Sequence, residues 1–158
     1  MDEINIKNLT FSKKPISVPV DYRPAYKIAL ICLILRFSCI GDKSSLLKLH
    51  LISWSLKSRE NKKQLLKFIQ NNKSKEISVW GIEPALNRAL QLAVADSFFS
   101  YKSSSYKLEK KGAQLLKKII DSGDIFLEEI EFLKNIGKKS LTEKSIQELT
   151  NKWRLFND

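Results

Sequence analysis

Histidine occurs once in this sequence, cysteine twice, proline four times and glycine five times among 158 residues. Each scarcity excludes something. One histidine, His50, with no Cys-x-x-Cys pair leaves a structural zinc site short of ligands, so no metal and no cofactor is expected. Cys32 and Cys39 lie in one apolar run, about 10 Å apart along a helix axis and out of reach of an intrahelical disulfide. Buried, reduced thiols of a cytosolic protein are the expectation. So little glycine and proline denies the chain the punctuation of an all-β sandwich. No Gly-rich phosphate loop, nucleophile elbow or acidic cluster with metal-ligand spacing occurs either. Long apolar runs are missing too. Lys27 and Arg36 bracket only the eight residues Ile28–Leu35, against about 20 for a membrane span. The Met1-Asp2-Glu3 start carries no signal-peptide pattern, and a cytoplasmic location with no membrane contact is expected.

What is present is basic charge and enough apolar material for a core. Lys plus Arg number 28 against 17 Asp plus Glu, for a net charge of +11, while 43% of residues are hydrophobic, with 8 Phe, 4 Tyr and 3 Trp. That supply offsets chain entropy and argues against global disorder. Without turn-rich punctuation, the expected fold is mainly α.

Three regions follow from the patterning. Residues 1–23 read as an N-terminal arm, with Ile4, Ile6, Leu9 and Phe11 alternating before Pro15 and Pro19. Residues 24–121 read as a helical domain. Pro24 suits a first helical turn, with Asp21 in the N-cap region, and Ala25–Ile40 reads as a central helix apolar on nearly every side. Lys43-Ser44-Ser45 caps a second helix over Leu46–Leu56, and Ser58 starts a third with Leu65, Leu66, Phe68 and Ile69 inside. Glu76–Trp80 alternates as a short strand. Pro84 then opens an amphipathic helix with Leu86, Ala89, Leu90, Ala93 and Val94 in one stripe. Phe98–Tyr101 and Tyr106–Leu108 read as a hairpin around Lys102–Ser105, followed by a helix over Glu109–Asp121. Residues 122–158 read as C-terminal helices, the first capped by Asp124 and ended by Gly137, the last opened by Leu141-Thr142-Glu143.

The helix-hairpin-helix block at 83–121 resembles the second half of a winged-helix domain, in its Tyr106-Lys107-Leu108 strand running into a helix start that contains Gly112. Arg88, Lys102, Lys107, Lys110 and Lys111 fall on or beside this wing and are the candidate DNA contacts. Five such contacts correspond to a log–log salt slope of roughly −4 to −5 on duplex DNA. Lysine is a point charge suited to phosphates and poor at bidentate base readout, so sequence-neutral binding is expected. A lysine-rich solvated surface is the competing account of the same residues. Phe11, Phe126, Ile130, Leu133, Trp153 and Phe156 are candidate partner contacts, unless they close the domain's own core. No catalytic residue emerges, since His50 lies in an apolar helix as a hydrogen-bonded core histidine would.

Three stretches, Arg23–Arg36, Lys43–Trp54 and Pro84–Leu90 with the following wing, resemble the middle component of bacterial three-component ABC-ATPase defence systems, the group that includes Lamassu-type antiphage and antiplasmid systems. The resemblance covers about residues 20–120. It implies a non-enzymatic adaptor subunit that joins an SMC-like ATPase to an effector nuclease and adds basic surface where double-stranded DNA lies. A stand-alone winged-helix transcriptional regulator is the alternative from a different class.

Overall fold

A computed structural model describes residues 23–71 and 82–157, with side chains up to residue 151. Its centre is α1 (Pro24–Ser38), where Pro24 occupies the first turn without needing an amide donor. Every residue from Lys27 to Leu35 is buried, because α2 (Leu46–Ser55), α4 (Pro84–Ala95), α5 (Lys110–Ser122) and α6 (Leu127–Ile136) all pack on this one helix. A helix apolar all round is stable only in such a setting. Each fully buried Leu or Ile contributes about 1.5–3 kcal/mol there.

Local signals set most of the helix ends. Ser45 accepts from the Lys48 N–H at 3.3 Å and starts α2, and Ser58 accepts from the Asn61 N–H at 3.1 Å and starts α3 (Arg59–Gln70). Thr142 does the same for the Ser145 N–H at 3.1 Å ahead of α7 (Glu143–Asn157). Leu65 and Phe68 are the buried face of α3, and Leu86, Ala89, Leu90 and Ala93 that of α4.

Three short strands form one antiparallel sheet in the order β1 (Lys43–Ser44), β3 (Ser105–Leu108), β2 (Phe99–Lys102). The helix-hairpin-helix block is therefore present as α4, β2, β3 and α5. Its turn is tighter than the sequence suggests: only Ser103 and Ser104 lie between the strands, both left-handed at φ +53° and +60°. Lys43 and Ser44 are strand rather than helix cap, with Ser45 alone as the N-cap. Two residues are too few for alternation to show, and their partners are Lys107 and Tyr106, far along the chain.

The C-terminal helices close the same core. Phe132, Leu133, Ile136, Leu141, Ile146 and Leu149 are all buried in one cluster with the residues of α1, and the Ser38 hydroxyl donates to the Leu133 carbonyl at 3.0 Å. Asp124 is not the cap of α6. The helix starts from Phe126 in a left-handed conformation, φ +56°, with its ring 5.4 Å from that of Tyr26. Packing against α1 decides that boundary, not side-chain capping. The expected arm, Asp21 and the Glu76–Trp80 strand lie outside the described residues.

Candidate nucleic-acid interface

The register of the sheet sorts its side chains onto two faces, since directly opposed residues share a face and alternate along each strand. Phe99 opposes Leu108 and Tyr101 opposes Tyr106. The first pair is buried in the core, and the second forms a ring pair at 4.7 Å that braces the hairpin tip. Partial burial, with Tyr101 alongside, pushes the Tyr106 phenol up from its ordinary value.

The other face carries Ser100, Lys102, Ser105, Lys107 and, through β1, Lys43. Lys43 sits directly opposite Lys107, and Lys43, Lys102 and Lys107 are all exposed. None of the three makes an ion pair with any described residue. Like charges directly opposed across two strands destabilise the pairing by roughly 0.2–1 kcal/mol. One carboxylate lies at the base of this face, where Glu109 accepts from the Ser100 hydroxyl at 2.6 Å.

The five basic residues picked out from the sequence fall on three parts of the block. Lys102 and Lys107 share the outer sheet face. Lys110 and Lys111 line an open groove of about 800 Å³ beside β2 with Ser100 and Tyr101. Arg88 lines neither and is exposed on α4. Lys111 is also occupied structurally: its ammonium lies 2.9 Å from the Asp96 carboxylate, donates to the Asp96 carbonyl at 3.0 Å and sits 4.6 Å over the Phe98 ring. Lys43 is the residue that sequence reasoning missed. Nothing in its local pattern marks a strand.

No family model, curated protein or solved structure matches this chain. The partner-contact candidates divide as well. Leu133 is fully buried within the chain's own core, and Phe126 and Ile130 are half-buried against it. Phe11 and the side chains of Trp153 and Phe156 lie outside the described residues.

The histidine and both cysteines are committed to structure. His50, 1% exposed, accepts the Glu83 N–H at Nδ1 (3.1 Å), which leaves Nε2–H to donate to the Asn87 side-chain oxygen Oδ1 at 2.9 Å. Burial holds its basicity below the usual histidine value, although Asn87 opposes the shift. Cys32 and Cys39 are buried and unbonded to each other, and burial pushes both thiols up, away from the reactive thiolate. Among the described residues no three His, Cys, Asp or Glu side chains converge as a metal site, and no helix is long and apolar enough to cross a membrane.

Proposed function

We propose that this chain is a non-catalytic helical adaptor that lays the lysine-bearing outer face of its three-stranded sheet against duplex DNA without reading sequence. The observation that carries the reading is the Lys43–Lys107 opposition beside Lys102, three exposed ammonium groups on one face with no ion pair among the described residues. Phosphates laid across that face relieve the repulsion and release counterions. Lysines without an arginine fork hold phosphates as point charges and leave base edges unread.

The likeness of Arg23–Arg36, Lys43–Trp54 and Pro84–Leu90 to the middle component of Lamassu-type systems supports the setting. In it the adaptor works in the cytoplasm within an antiphage and antiplasmid complex, between an SMC-like ATPase and an effector nuclease. A body in which the one histidine has both ring nitrogens engaged suits a subunit that holds others in place.

Fluorescence anisotropy on unrelated duplexes across a salt series tests the DNA half. Affinities should agree to within about threefold between sequences, and the joint Lys43→Glu, Lys102→Glu, Lys107→Glu variant should flatten the log–log salt slope by about 2 to 3. A single duplex bound far more tightly than all others would overturn the reading in favour of a stand-alone regulator. Co-expression with an SMC-like ATPase and the effector tests the other half: co-elution as one complex is expected, and separate elution sinks the adaptor role.

A further inference from the structure

A second cationic feature lies beside β1. A cavity of about 410 Å³ opens between β1, the first turn of α2 and the loop from α6 to α7. Gly137 ends α6 with φ +74°, and the chain then turns so that Lys138 and Lys139 line the cavity. Lys43 and Lys48 line it from the opposite elements. Four lysines and one carboxylate, Glu143, thus share the lining with Ile40 and Leu141, and Glu143 accepts from the Ser45 N–H at 3.3 Å. That bond shows a negative group already favoured at the start of α2, where backbone donors are unsatisfied by the helix itself.

Lys48 is the decisive residue. It is only 4% exposed, yet its ammonium makes no hydrogen bond or ion pair with any described residue. Its stem is packed, while the ammonium end keeps contact with solvent at the cavity: among the described residues, Glu83 Oε1 is the one buried side-chain nitrogen or oxygen without a hydrogen-bond partner. Lys27, the other deeply buried lysine among the described residues, instead lies 3.0 Å from the Glu83 carboxylate. Lys48 has the cavity in that place.

The geometry points to a phosphate-binding pocket in which Lys48 is the buried anchor and Lys43, Lys138 and Lys139 complete the cationic lining. Compact ammonium groups suit a multiply charged phosphate, which offers several acceptor oxygens at once. The volume lies within the range of about 300–1,000 Å³ usual for small-ligand sites. Lys43 belongs both to this pocket and to the outer sheet face, so a phosphate held here also relieves its opposition to Lys107. The shared chemistry has two sources, the terminal phosphates of a nucleotide or a backbone phosphate of duplex DNA. The pocket itself does not rest on the DNA reading.

Pyrophosphate is the probe, titrated into the full chain with chloride holding ionic strength constant. The expected result is a rise in melting temperature beyond the chloride control, with movement of the Ser45 and Thr142 amide resonances. Lys48→Met keeps an apolar stem and removes the ammonium, so it should leave the ligand-free fold intact while weakening pyrophosphate binding by about tenfold or more. Lys138→Glu with Lys139→Glu, on an exposed loop, should weaken it similarly and guards against a folding artefact. Pyrophosphate acting no more strongly than chloride, or both variants binding like the parent, overturns the pocket. Competition between pyrophosphate and duplex assigns the site to backbone phosphates, and tight ADP binding without such competition assigns it to a nucleotide. Pyrophosphate binding in a chain that fails to bind any duplex sinks the DNA reading and leaves the pocket standing.

Discussion

The ammonium of Lys27, wholly buried on α1, lies 3.0 Å from the carboxylate of Glu83, the residue just before α4. The same carboxylate is 3.3 Å from Lys57, and the Glu83 N–H donates to His50. One residue thus ties the central helix, the end of α2 and the start of the helix that leads into the hairpin. Removing one partner of a buried pair leaves the other charge uncompensated, at a cost of about 3–5 kcal/mol. Glu83→Ala should approach that loss in urea denaturation. Lys27→Met should cost less, because Lys57 still meets Glu83.

His50 gives a pH dependence with a definite sign. Burial lowers its folded-state basicity below the unfolded value, so the unfolded chain binds the extra proton first and stability falls with acidification. The loss begins as pH drops through the usual histidine value of about 6.5 and continues down to the lowered folded one. With a single histidine in the chain, one imidazole resonance followed by NMR reads the midpoint directly. It should fall below that usual value. Asn87→Asp, placing a carboxylate beside Nε2, should raise it, and an unshifted midpoint in the parent chain would contradict the burial argument.

The hairpin turn stores strain that a substitution can remove. Ser103 and Ser104 both sit at positive φ, the two-residue geometry that favours Asn-Gly and that costs an ordinary side chain about 1–2 kcal/mol per position. Ser103→Asn with Ser104→Gly should stabilise the chain by about 1 kcal/mol in chemical denaturation.

Gly112 allows α5 to approach the hairpin. A Cβ there would stand 2.5 Å from the Phe98 carbonyl oxygen and 2.6 Å from Leu108 Cδ1. That carbonyl also accepts the Glu109 N–H at 3.0 Å and is held in place. Gly112→Ala should therefore destabilise by about 1–3 kcal/mol, the usual cost of overpacking, despite alanine's better helix propensity. Thermal melts of the variant beside an exposed control on the same helix, such as Lys117→Ala, separate the two effects.

What the sequence determined by itself is what local chemistry controls. Ser45 and Ser58 announce helix starts because their hydroxyls reach amides three residues on, and Gly137 announces an end. The run from Ile28 to Leu35 has so few polar positions that only a surrounded helix satisfies it. The hairpin is legible in the strand-forming Phe98–Tyr101 and Tyr106–Leu108 around a serine-rich turn, with Gly112 in the helix that follows. Tertiary structure alone decided the rest. It paired Lys43 with Lys107 across more than sixty residues, turned Lys111 inward onto Asp96 and Phe98, and set the start of α6 at Phe126 against Tyr26. It also brought Lys48 to a cavity shared with Lys138 and Lys139. Charge is written in the sequence, but whether a charge meets a carboxylate, a like charge or a cavity depends on segments that only folding brings together.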